Sequence, residues 1–414
     1  MRRIVENVVY QHVENVCSLW LQREQAVEEP HYDFSDLVHL DNRLDANLDG
    51  LRVAGAAAGP MLEEMRAAGD EGALFGLAVL VLERGKPDAF AGLVAGTSDD
   101  GARLAELGSA LAWVDPRHLG NTVKALLDGT SAAEIVLGLD ACAAHGRSPG
   151  TRLGTLLQHP DASVRAAACR TAADLGERDF AAMLEDATAG SGDDERFHRA
   201  RALALLGRGE RARPVLESLG SRASPRRSAA IALLMAMSDS RSGRSFLKGL
   251  GARPGRERDV VAGCGLLGDP IAMEWLIRCC EDPALARLAG GAMTMISGID
   301  LAYEDLELDD APEAGPNDDP SDDNVALDED ENLPWPDPER VRAWWLGAKH
   351  ALPAGTLFLD GRAKTRPELE RTLALGMQRQ RNAAALALAL ASPDACYRNT
   401  RLPAVRQRAW MAAS

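Results

Sequence analysis

Apolar residues recur along this chain at steps of three and four. Leu37, Leu40, Leu44, Leu48 and Leu51 mark one face of a helix ending near Gly50, and Ile4, Val8, Val9, Val13, Val16, Cys17, Trp20 and Leu21 mark another upstream. Further on, a helix-ending glycine or small polar substitute returns at Gly85, Asp115, Gly146, Gly176, Gly207, Ser238, Gly268 and Gly298, in steps of 30, 31, 30, 31, 31, 30 and 30 residues. Four residues before each stands a small or apolar side chain: Val81, Leu111, Cys142, Ala172, Leu203, Leu234, Cys264 and Thr294. Eight residues after stands a second column: Leu93, Val123, Gly154, Leu184, Val215, Phe246 and Leu276.

Each period reads as a helix, a tight turn and a second helix. In the unit around Gly176, Pro160 and Asp161 open the first helix, Gly176 ends it, and Phe180, Met183 and Leu184 form the inner stripe of the second. One such hairpin cannot bury its own apolar face, so neighbours stack into a continuous core. The pattern predicts an all-α chain, an α-solenoid of about eight hairpin units of ~30 residues. An N-terminal helical cap is expected over 1–65, the array over 66–301, an acidic disordered linker over 302–338 and a C-terminal helical region over 339–414.

Composition supports close-packed helices: aromatics are 4% of 414 residues, too few for typical sheets. The seven cysteines follow no CxxC spacing, which argues against a disulfide framework and a zinc site and favours a reducing, cytoplasmic setting. Glu6 and Glu14 interrupt the first apolar stretch, so no secretory signal is expected, and no long apolar run predicts a membrane span. The net charge of −16 is unevenly placed: residues 302–338 hold fifteen acids and no Lys or Arg. Residues 196–258 hold fifteen Lys or Arg against four acids. This segregation raises the expectation that the acidic segment folds back over the basic units as an electrostatic lid.

Several stretches imitate chemical motifs. Asp45, Asn47, Asp49 and Gly50 have the spacing that opens a calcium-binding loop, but Ala56 occupies the place of the bidentate glutamate, so no metal is expected. Gly146–Gly150 spells G-x-S-x-G, yet Pro149 follows the serine and has no N–H for an oxyanion. Cys142 and Cys264 fall in the packing column and read as core. Cys279 and Cys280 follow an apolar pair on a second helix, one of them facing the core. Trp344 and Trp345 are the densest aromatic site and read as anchors joining the last helices to the array.

The spelling D-x-x-V-R at Asp161–Arg165 resembles the HEAT repeat in its short bacterial form, and an arginine stands eleven residues before the turn at Arg165, Arg196, Arg227 and Arg287. Leu19–Glu24, Pro30–Gly55 and Ala343–Arg362, together with the array, resemble a family of uncharacterised bacterial HEAT-repeat proteins often encoded near type VI secretion components. Asn47 stands where that family's motif has histidine. The resemblance marks Asp41, Arg43, Asp45, Asp49, Gly50, Trp344 and Trp345 as signature positions and implies a gene neighbourhood rather than a reaction.

No nucleophile with a base and oxyanion donor, metal cluster or phosphate-cradling loop is legible in the sequence. The expectation is a non-enzymatic scaffold without cofactor, binding a protein partner through charged steering by Arg196, Arg199 and Arg227. In a type VI setting the partner is a secreted effector, a spike component or a toxin, in an adaptor, chaperone or immunity role. The alternative is nucleic-acid binding by the basic 196–258 units. A more distant one is an enzyme of the kind some HEAT-like proteins represent, such as bilin lyases or base-excision glycosylases.

Overall fold

The computed structural model describes residues 4–97, 100–186, 192–310, 330–393 and 395–412. It is all-α and solenoid-like, and its contacts divide the chain into two compact units, residues 1–28, 32–215 and 389–414, and residues 29–31 and 216–388.

The first unit opens with α1 (Glu6–Ala26) and α2 (Phe34–Ala54), which pack along each other. Asp33 starts α2 by accepting the Ser35 and Asp36 N–H groups, while Asp36 returns a bond to the Asp33 N–H. The five leucines of the stripe are buried together, each contributing about 1.5–3 kcal/mol by removal from water. The helix passes Gly50 and stops only at Gly55, so Asp45, Asn47 and Asp49 project around a helix axis and no calcium-type loop forms. On α1 the buried stripe is Val9, Val13, Val16, Cys17 and Trp20; Ile4, Val8 and Leu21, expected on the same face, are exposed.

After α3 (Ala58–Ala68) come α4 (Ala73–Glu83), α5 (Pro87–Ala95), α6 (Gly101–Trp113), α7 (Gly120–Leu127), α8 (Ala132–Ala144) and α9 (Arg152–Leu156). They continue as α10 (Ala162–Leu175), α11 (Ala181–Asp186), α12 (Asp193–Leu205) and α13 (Gly209–Ser221). The even-numbered helices from α4 to α12 are the first helices of the repeats, and each packs on the next. Their ends fall at Gly85, Asp115, Gly146, Gly176 and Gly207, as the period predicts.

The second unit carries α14 (Arg227–Ala236), α15 (Ser240–Gly251), α16 (Glu257–Leu267), α17 (Met273–Cys279) and α18 (Ala286–Ser297). These continue the rhythm past Ser238, Gly268 and Gly298. The flanks of the segment expected as disordered linker are ordered: Leu308 donates to Trp335 O at 2.9 Å and Asp337 to Leu306 O at 2.8 Å. Residues 311–329 lie outside the described residues. Then come α19 (Pro338–Ala348), a hairpin of β1 (Phe358–Leu359) and β2 (Arg362–Ala363), α20 (Arg366–Leu375) and α21 (Gln378–Ala391). Within this all-α fold the hairpin is a small local element of two-residue strands, and its turn residues Asp360 and Gly361 both have positive φ, 56° and 70°. The chain finishes with α22 (Ala404–Ala412), which packs on α2 in the first unit.

The column four residues before each turn is buried at Leu111, Cys142, Ala172, Leu203, Leu234 and Cys264. The column eight residues after is less so: Leu184 and Leu276 are buried, while Leu93, Val123, Val215 and Phe246 are half-buried. Burial shifts instead to positions five and nine after the turn, as at Phe90 and Val94, Ala212 and Leu216, and Met273 and Ile277. Near Gly176, Phe180 and Met183 are half-buried, and burial falls on Ala181 and on Leu184, five and eight residues after the turn. Cys142, Cys264, Cys279 and Cys280 are all buried, and burial pushes the Cys142 thiol up to about 11 and the Cys264 thiol to about 12.

Candidate interaction surface

Two members of the arginine column, Arg165 and Arg227, link neighbouring repeats. Arg165 reaches one period ahead to Glu195, donating Nε to Oε1 at 2.9 Å and Nη2 to Oε2 at 2.7 Å. Arg199, one turn along α12, pairs with the same carboxylate. Burial tends to raise the Glu195 carboxyl, but the guanidiniums of Arg165 and Arg199 outweigh it and hold the group below its ordinary range. Arg170 reaches one period back to Asp140 at 2.6 Å, and Arg201 reaches Asp174 at 2.7 Å while its guanidinium lies 4.8 Å from the Tyr397 ring centre. In the second unit Arg227 pairs with Asp259 at 3.1 Å. Arg287 is buried, donates to Leu333 O at 3.2 Å and lies 5.4 Å from the Trp335 ring centre.

Thus Arg199 and Arg227, expected as steering charges, hold carboxylates, Arg199 that of Glu195 on its own helix and Arg227 that of Asp259 one repeat ahead, and Arg196 beside them is half-buried. The sequence held a signal for this: acids lie about one period from arginines at Arg165 and Glu195, Arg170 and Asp140, and Arg227 and Asp259. Asp330, at the described edge of the acidic segment, takes Arg258 with bonds of 2.8 and 3.0 Å.

The N-terminal signature separates into two clusters. Asp41 is buried and accepts from Arg23 Nε at 3.1 Å and from the Ala404 N–H at 2.6 Å, while Arg23 also donates to Arg401 O at 2.7 Å. This buried pair fastens α22 to the helical hairpin of α1 and α2. Burial raises the Asp41 carboxyl and the Arg23 charge opposes that rise. Asp45 and Asp49 are exposed and surround Arg52, which also pairs with Glu83 at 2.8 Å. Arg43 is exposed. Asn47 accepts from Asn15 at 3.2 Å and lies 3.0 Å from His12 Nδ1. Gly50 leaves room for the same imidazole, since a Cβ there would lie 2.5 Å from His12 Cδ2. Asp41, Asn47 and Gly50 thus hold α2 against α1, and Asp45 and Asp49 are engaged by Arg52.

The C-terminal signature closes the ends of α16 and α18. Trp345 is buried and Trp344 half-buried, with ring centres 6.2 Å apart, on α19 where it packs against α17. The hairpin after α19 then meets the helix ends: Phe358 N–H donates to Gly268 O at 2.7 Å, and Gly361 N–H to Ile296 O at 3.1 Å. Lys364 Nζ donates to Leu266 O at 2.8 Å and to Leu267 O at 3.1 Å, and burial pulls its ammonium down to about 8. Asp269 joins in by accepting from the Gly355 N–H at 3.1 Å. A Cβ on Gly268 would lie 2.0 Å from Phe358 O, and φ there is +78°. Glycine at the repeat turn thus admits the cap.

Two cavities open on the second unit. One, of about 690 Å³, is lined by Arg227, Ser228, Arg258, Asp259, Asp282 and Arg379 among others, contributed by α14, α16, the chain before α18, and α21. The other, of about 650 Å³, lies at the C-terminal end of α18. Among the described residues no group of three or more metal-ligating side chains is assembled and no helix is long and apolar enough to cross a membrane. Ser148 sits in the turn between α8 and α9, where its Oγ accepts from the Gly150 N–H at 3.0 Å, not at a strand-to-helix elbow.

Repeated helical hairpins tied by period-spaced ion pairs, with a mixed-charge groove, define a helical-repeat protein of solenoid type. No family model matches the chain, and neither a curated protein nor a solved structure is found similar to it.

Proposed function

We propose that this protein is a non-enzymatic interaction scaffold whose partner is a protein, and that the partner seats in the groove beside Arg227. The observation behind this is the division of labour within the repeats. Most periodic positions are taken up by packing and by the ladder, while beside the Arg227–Asp259 rung the groove is lined by residues that differ from unit to unit, such as Ser228, Ala262 and Asp282. The resemblance described above makes an effector, a spike component or a toxin of type VI secretion the partner class, in an adaptor, chaperone or immunity role. The nucleic-acid alternative draws less support, because Arg165, Arg199, Arg227 and Arg258 already hold carboxylates.

Charge reversal at Arg199 or Arg227 would break the ladder as well as the surface, so a steric variant is the better probe. Ser228 is exposed in the groove. Ser228→Trp should leave helical content unchanged and lose the protein that co-purifies with the full chain from its host. Retention of that protein by the variant, or recovery of nucleic acid alone with the native chain, would overturn the proposal.

A further inference from the structure

The second cavity has a different character from the groove. Its floor is apolar, with Met295, Ile299, Leu301 and Leu333, and its volume is about 650 Å³. Four carboxylates line it from four separate pieces of chain: Asp300 after α18, Glu307 and Glu331 on the ordered flanks of the acidic segment, and Asp360 at the hairpin tip. Against them stand one permanent cation, Arg379, and His31. Arg379 is embedded here with Glu29 and Asp330 in its electrostatic surroundings, so the region already houses a guanidinium among acids. At the rim Met377 lines the cavity at 40% exposure; Leu375 and Tyr303, close to lining residues in sequence, are exposed at 70% and 85%.

We infer that this cavity binds a protein segment that inserts an arginine or lysine side chain flanked by apolar residues. The inference rests on the interaction reading above but concerns the neighbouring cavity, which shares Arg379 with the groove, and names the chemistry of the segment. An acid-rimmed cavity attracts a cation, and the apolar floor accommodates the methylene stem that Arg and Lys carry behind their charge. Met377, which lines the cavity and is itself exposed, offers an apolar contact beyond the basic side chain, as flanking residues of a peptide require and a lone small cation does not. Asp300 and Glu331 are exposed and provide steering; Glu307 and Asp360 are half-buried and provide the deeper contacts.

The test is selection of random heptapeptides displayed on phage against the immobilised full-length protein, followed by fluorescence anisotropy with a labelled selected peptide. Selected sequences should be enriched in Arg or Lys beside Leu, Met or aromatic residues. Replacing the basic residue by citrulline or norleucine should weaken binding about tenfold or more, as should the double variant Glu331→Gln/Asp360→Asn. Glu331→Gln alone, at an exposed position, should weaken binding while preserving the circular dichroism and thermal midpoint, which keeps the outcome independent of folding. Peptides without basic enrichment, equal binding of the neutral analogue, or binding indifferent to Glu331→Gln would overturn the inference. Failure to select any peptide would do the same. If the host partner is still lost through Ser228→Trp in that case, the scaffold proposal stands and only this cavity falls.

Discussion

Glu195 is 2% exposed, and a carboxylate so deeply placed needs partners to replace its water. Arg165 and Arg199 supply them from two different helices. Glu195→Gln should therefore cost about 3 kcal/mol in urea unfolding, because two guanidiniums lose their counter-charge. The native carboxyl lies below its ordinary 4.5, so the unfolded chain binds the proton more readily than the folded one. Its contribution is complete above about 4.5 and is lost as the pH falls through the lower folded value; the glutamine variant should show a shallower acid loss over that range. The signature acids give a second contrast. Asp41→Ala leaves Arg23 and the Ala404 N–H without their buried acceptor and should cost about 3–5 kcal/mol. Asp45→Ala or Asp49→Ala, at exposed positions, should change stability by no more than about 0.5 kcal/mol. Equal effects of the three substitutions in thermal or urea unfolding would contradict the separation of the motif into two clusters.

At the scale of elements, the hairpin at Phe358–Ala363 occupies carbonyls at the ends of α16 and α18, with bonds to Gly268 O, Met295 O and Ile296 O. Gly268→Ala should undock it, since the added carbon collides with Phe358 O in a backbone conformation that already disfavours a side chain. The expected loss is about 3 kcal/mol or more, with amide exchange accelerated around Leu266–Gly268 and Met295–Gly298. Lys364→Met should cost about 2 kcal/mol by removing two charge-assisted bonds. The ends of the first helices were legible because glycine and its small substitutes punctuate the pattern where a left-handed residue or a cap is needed, and Gly85, Gly146, Gly176, Gly207, Gly268 and Gly298 all have positive φ. The inner stripe of the second helices was less legible. The shift to positions five and nine occurs after Gly85 and Gly207, where the second helix starts directly at Pro87 and Gly209, as well as after Gly268, where a 3-10 turn precedes it, so the start of the second helix does not by itself fix which positions face inward. The Asp360-Gly361 pair was a hairpin signal in plain sight, overshadowed by the helical rhythm on either side. The two cavities were not legible at all, because each gathers residues from chain segments far apart in sequence.

Across the whole chain, the basic stretch at 196–258 is less available than its charge count implies, since Arg199, Arg201, Arg227 and Arg258 are engaged by carboxylates. Those rungs are individual. Arg165 finds its acid one unit ahead, Arg170 one unit behind, and Arg227 at a spacing of 32 residues. Exchanging the α10–α11 unit with the α14–α15 unit should keep the packing columns yet strand guanidiniums and acids at each new junction, lowering the thermal midpoint of the chimera; an unchanged midpoint would show that the rungs are interchangeable. Units built on one template face the hazard of docking with the wrong sibling during folding, and apolar columns alone do little to prevent it. A ladder whose rungs differ from junction to junction acts as an address system, telling each hairpin which neighbour is its own.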